Sequence, residues 1–179
     1  MDLRTRITFQ RTGLPRRFWQ KDLDPDPYVV EWSQGLYDIL YDETSPDFGQ
    51  GLVLCGPGAT RNAAWLFINF LNTKIGDLST CLFVDWATFI DDVSDREERS
   101  SAVDEAIHPH LLIFDQVSLN RADWISSVLT RVVKSRYDGG RPTIITTSKP
   151  LDLAQTSLAS CFDFDPHAMR FVGTLAAEG

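Results

Sequence analysis

The stretch that most constrains this chain is Gly51 to Leu71, GLVLCGPGATRNAAWLFINFL. Leu52, Val53, Leu54 and Cys55 form an apolar run without alternation, the pattern of a strand buried on both faces. Gly56, Pro57 and Gly58 break it, and Ala63, Ala64, Leu66, Phe67, Phe70 and Leu71 resume at helical spacing. A strand that turns straight into an amphipathic helix and is itself covered on both sides belongs in a parallel sheet with helical layers.

The same layout is that of a phosphate-binding strand, loop and helix, whose pattern G-x-x-x-x-G-K-[ST] supplies backbone N–H groups, a lysine charge and a hydroxyl for Mg²⁺. With Gly56 as the first glycine, Pro57, Gly58, Ala59 and Thr60 fill the loop. Arg61, Asn62 and Ala63 then fall where glycine, lysine and Ser/Thr are needed. Downstream, His110 to Val117, HLLIFDQV, is an apolar strand ending in an acid, the Walker B layout. Asp115 takes the metal-holding position, and Gln116 follows where an acidic base for water is usual. Together, Asn62, Ala63 and Gln116 remove positioning and electrostatic groups on which phosphoryl transfer depends.

Arg136 to Leu151, RYDGGRPTIITTSKPL, closely resembles the segment through the sensor-1 strand of bacterial and phage helicase loaders (DnaC type) and of transposon ATP-binding proteins (IstB type). Ser148 stands where that family usually has asparagine. Gly13 to Trp19, GLPRRFW, resembles the lead-in to the ATPase core of the same proteins, so the resemblance runs from about residue 13 to about residue 151. It implies an AAA+ core: a P-loop NTPase three-layer α/β fold with a parallel sheet of about five strands in the order 5-1-4-3-2. It also implies that Arg136, at a helix end ahead of the sensor strand, is a candidate finger presented in trans to a partner's ATP, with Arg131 and Arg141 as rivals. A lid domain does not fit in Asp152 to Gly179, where Arg170 is the one arginine that could take a sensor-2 role.

The remaining segments are read in order as a basic N-terminal arm, residues 1–22, and a single degenerate AAA+ core, residues 23–179. Arg4, Arg6, Arg11, Arg16, Arg17 and Lys21 make the arm a possible contact for DNA or an acidic partner. Tyr28 to Asp42 reads as one helix containing Gly35, Cys81 to Asp85 as a buried strand, and Asp91 to Glu105 as an acidic solvated face. Asn120 to Tyr137 reads as a long helix with Trp124, Val128, Leu129, Val132 and Val133 on its apolar face. Pro142 to Thr147 reads as the fourth strand and Arg170 to Val172 as a fifth. His108 and His110 have no further ligand at metal spacing and read as structural. Leu112, Ile113, Val53, Val84 and Ile144 are the expected core of the sheet.

A net charge of −8 argues against a surface that grips nucleic acid over a wide area. Three cysteines without metal spacing suit a reducing compartment, and the chain shows neither a membrane span nor a signal peptide, so the expected location is the cytoplasm. The functional expectation is a pseudo-ATPase subunit in DNA replication, without a bound cofactor, paired in a hetero-oligomer with an AAA+ paralogue or a replicative helicase. Two alternatives stand beside it. One is an active helicase loader with an atypical loop, binding ATP and Mg²⁺ at Asp115 with Arg61 as the phosphate cation; the other is a phage protein that occupies a host AAA+ or replication factor.

Overall fold

In the computed structural model, the structure describes residues 10–19, 22–72, 81–95, 99–119, 123–149, 158 and 161–162. A 3₁₀ turn, Arg16–Phe18, is followed by α1 (Pro27–Gln34), α2 (Leu36–Tyr41), β1 (Leu52–Cys55), α3 (Ala59–Asn72) and β2 (Cys81–Asp85). Then come α4 (Trp86–Ser94), α5 (Arg99–Ile107), β3 (Leu111–Asp115), α6 (Asp123–Asp138) and β4 (Thr143–Thr147).

The four strands pair in parallel in the order β1-β4-β3-β2. These are the last four positions of the expected 5-1-4-3-2 order. The segment read as a fifth strand, Arg170 to Val172, lies outside the described residues, although a single parallel bridge joins Gly51 to Phe162 at the start of β1.

The two-residue period of a strand divides the apolar residues between two cores. Leu111 and Ile113 of β3 join Leu52, Leu54, Phe83 and Ile144 against α3, where Ala63, Leu66, Phe67 and Phe70 are fully buried. Leu112 and Phe114 face the other way and join Ile145 against α4, α5 and α6, through Phe89, Val103, Leu129 and Val132. Central β3 is therefore buried at all five positions, which is why its sequence shows no alternation. Leu112, Ile113 and Ile144 are buried as expected, whereas Val53 and Val84, on β1 and β2 at the margins of the second core, are only half-buried.

Local chemistry sets the helix ends. Asp26 caps α1 by accepting from Tyr28 N at 3.1 Å, with Pro27 in the first turn where a missing N–H costs nothing. Asp85 caps α4 by accepting from Thr88 N at 3.0 Å. The single helix expected over Tyr28 to Asp42 is divided at Gly35, whose N–H reaches back three residues to Trp32 O at 3.1 Å and tightens the chain between α1 and α2. The helix expected from Asn120 is described from Asp123, with Asn120 outside the described residues. Trp124, in its first turn, is 39% exposed rather than part of the apolar face.

Part of the segment read as an arm is built into the core. Leu14 and Phe18 join the α3 side of the sheet, and Thr12 O accepts from Phe83 N at 2.7 Å along β2. Gly13 has φ +77, and a Cβ there would collide with the Phe83 carbonyl oxygen, so this close approach requires glycine.

Candidate functional site

The site lies where β1 turns into α3, beside the ends of β3 and β4. Only Gly56, Pro57 and Gly58 separate β1 from α3. Gly56 N donates to Thr147 O at 2.9 Å, Pro57 has no N–H, and Ala59 N donates to Gly56 O at 3.1 Å. Of the backbone donors from Gly56 to Ala59, that leaves Gly58 N. Ala59 is 2% exposed and brings a methyl group to the start of the helix.

Because α3 begins at Ala59, the hydroxyl that meets Asp115 is that of Thr60, not a group at position 63. Thr60 Oγ1 donates to Asp115 Oδ1 at 2.6 Å. The frame set Arg61, Asn62 and Ala63 on the glycine, lysine and Ser/Thr positions; in the structure Thr60, three residues before Ala63, is the residue hydrogen-bonded to the acid. Ala63 lies in the core with no exposure. Asn62 accepts from Asp26 N at 3.0 Å through Oδ1, tying the start of α1 to α3. Arg61 is exposed, and its Nη2 lies 3.7 Å from where a Cβ on Gly58 would sit.

Asp115 is 5% exposed. Its Oδ1 accepts a second hydroxyl, Thr146 Oγ1, at 2.6 Å. Gln116 closes the group from outside: its backbone N donates to Thr146 Oγ1 and its Nε2 to Thr60 Oγ1, both at 2.8 Å. The sequence pointed to Ser148 for the sensor position, yet Ser148 is exposed just past the end of β4. Thr146, two residues earlier and fully buried, is the β4 hydroxyl that reaches Asp115. The alternation within TIITT carried that signal, since Ile145 faces the second core and Thr146 the opposite side.

Arg136 is also placed differently from its expectation. It has no exposure and lies on the buried face of α6, in register with Leu129, Val132 and Val133. Its Nε donates to Thr143 Oγ1 at 2.9 Å, Nη1 to the carbonyls of Ala106 (3.0 Å), Ile107 (3.1 Å) and Pro109 (2.7 Å), and Nη2 to those of Pro142 (2.8 Å) and His110 (3.4 Å). A guanidinium consumed in this way inside its own domain cannot be presented to a neighbour, so the finger role is corrected to a structural one. Burial first, and the charge of Arg141 second, lower its pKa to about 9, which leaves it charged at neutral pH. The i, i+3, i+4 spacing from Leu129 already placed residue 136 on the core face.

The rivals differ. Arg131 is exposed on α6, and half-buried Arg141 donates to Ile107 O at 3.3 Å. Arg170 lies outside the described residues. His108 Nδ1 pairs with Asp104 O at 2.5 Å, and among the described residues no group of three or more His, Cys, Asp or Glu side chains is arranged to hold a metal. No helix among them is long and apolar enough to cross a membrane.

A parallel sheet ordered β1-β4-β3-β2, with a glycine turn into a helix after β1 and an acid ending β3, defines a P-loop NTPase fold of the AAA+ type. No protein-family model and no curated protein matches the chain. Among solved structures it is similar to DnaI, at 17% identity and a TM-score of 0.58, over 91% of this chain and 90% of that one. It is similar to the DnaC helicase loader at 19% identity and a TM-score of 0.54, over 92% and 94%. A Streptococcus pyogenes serotype M3 protein assigned as a primosome component gives 19% identity and a TM-score of 0.58, over 98% and 93%. The chain thus carries the fold of helicase-loader ATPase cores over nearly all of its length.

Proposed function

We propose that this protein is a catalytically degenerate AAA+ subunit of a helicase-loader-like assembly, acting in DNA replication through protein contacts and not through nucleotide turnover. The observation that carries the reading is the turn between β1 and α3. A triphosphate cradle needs several converging N–H groups and a lysine charge. Here two of the turn's donors are bonded within the protein, a third is absent at Pro57, and the helix opens with buried Ala59. Mg²⁺ fits no better, because Gln116 Nε2 sets a hydrogen-bond donor on Thr60 Oγ1 at the mouth of the site. These residues do not fit ATP and Mg²⁺, and the reading involves no step through them.

The likeness to a helicase loader supports a replicative helicase, or an ATPase-competent AAA+ paralogue, as the partner in a hetero-oligomer. Two measurements test the proposal. The purified chain is expected to show no ATP hydrolysis above background and no saturable binding of a fluorescent ATP analogue, while capturing one of these partners in a pull-down. Turnover in the wild type that Asp115→Ala abolishes would refute the degenerate reading in favour of an active loader with Arg61 at the phosphates. Failure to associate with either partner would refute the assembly.

A further inference from the structure

The cluster at the ends of β3 and β4 is wired in one direction. Each threonine hydroxyl has a single proton, and both go to Asp115 Oδ1; each hydroxyl oxygen then accepts from Gln116, one from its backbone N–H and one from its side chain. Two donor chains start at Gln116 and converge on one carboxylate oxygen. Together they join α3, β3 and β4. Thr60 on α3 and Asp115 at the end of β3 touch directly at 2.6 Å.

Gln116 holds φ 60, the left-handed region that side chains larger than hydrogen seldom adopt. Such a conformation persists where its surroundings over-determine it. Its backbone N–H and one N–H of its side chain are engaged here, and the next residue, Val117, donates its N–H to Thr146 O at 2.8 Å.

From this geometry we infer that Thr60, Asp115, Gln116 and Thr146 form a built-in lock that fixes α3, β3 and β4 relative to one another, so that the face at these ends keeps one conformation whether or not nucleotide is present. The inference rests on the degenerate reading above and adds to it how such a subunit keeps a partner-ready shape without ligand. The inner bond, Thr146 Oγ1 to Asp115 Oδ1, is buried and not readily exchanged for water, and the exposed Gln116 side chain closes the cluster from the solvent side.

The test is amide hydrogen exchange on the full chain, read at residues 56, 116 and 117, with and without Mg-ATP. Thr60→Val removes one hydroxyl isosterically, Thr60→Ser restores it, and Gln116→Met removes only the exposed amide. Thr60→Val and Gln116→Met are expected to speed local exchange about tenfold or more. Thr60→Ser should stay close to wild type, amides of α6 should not change, and Mg-ATP should leave the wild type unaltered. Wild-type rates in both Thr60→Val and Gln116→Met would overturn the lock and leave the degenerate reading intact. Slower wild-type exchange on adding Mg-ATP would overturn the degenerate reading itself and the lock with it. If Thr60→Val does not fold, Gln116→Met decides, because its side chain is exposed and carries no packing.

Discussion

Arg136 offers the sharpest test of the packing logic, through Arg136→Met, which keeps an unbranched side chain of similar length but no donor. Three of the guanidinium's bonds, to Thr143 Oγ1, Ala106 O and Pro142 O, are fully buried. Leaving each acceptor without a donor costs about 1–3 kcal/mol, or about 3–9 kcal/mol gross. The variant no longer buries a charge, which returns several kcal/mol, and water can reach the half-buried carbonyls of Ile107 and Pro109. The expected net loss is about 2–5 kcal/mol, a large fraction of the about 5–15 kcal/mol that holds an ordinary domain. Urea and thermal unfolding read it directly, with a fall in Tm of about 4–20 °C. Arg136→Lys should recover only part, because one ammonium cannot span acceptors on both sides of a planar fork. Limited proteolysis should report new cleavage at residues 106–110, the segment the guanidinium pins. A Met variant within about 1 kcal/mol of the wild type, with that segment still protected, would refute the reasoning.

Other perturbations separate neighbouring effects. Leu112→Ala, Ile113→Ala or Ile144→Ala should each cost about 2–5 kcal/mol in urea denaturation. Val53→Ala and Val84→Ala should cost clearly less, since these side chains are half-buried; equal losses would contradict the two-core packing. Asn62→Ala should cost about 1–2 kcal/mol by freeing the start of α1, and an unchanged unfolding midpoint would remove the tether assigned to it. Gly140 has φ +66, and a Cβ there would run into the Phe48 ring. Gly140→Ala should therefore destabilise by more than about 1 kcal/mol, and a neutral effect would mean that neither the conformation nor the contact constrains the site.

Much of the scaffold is legible in the chain because its signals are local. LVLC, CLFVD and LLIFD are apolar runs of strand length, and each occupies the strand expected of it. The helix after Gly58 was equally legible from its spacing. The site was harder to read, and the reason is specific. A motif laid on from its first glycine counts residues, whereas the hydroxyl opposite Asp115 is selected by where α3 starts. That role falls to Thr60, three residues before position 63, and only the start of the helix reveals it.

The sequence by itself determined the strand and helix periods, the acid at the end of β3 and the absence of a lysine after the glycine turn, because each is written in residue type and spacing. Tertiary structure alone decided which hydroxyls meet Asp115, that Asn62 holds Asp26, and that Arg136 is enclosed by carbonyls from residues 106–110 and 142. These contacts join residues from 26 to 55 positions apart, apart from the one to Pro142. Helical spacing from Leu129 sets residue 136 on the core face, but it does not say what an arginine meets there. Only the packing of α5, β3 and β4 around α6 supplies the acceptors that allow its charge to be buried.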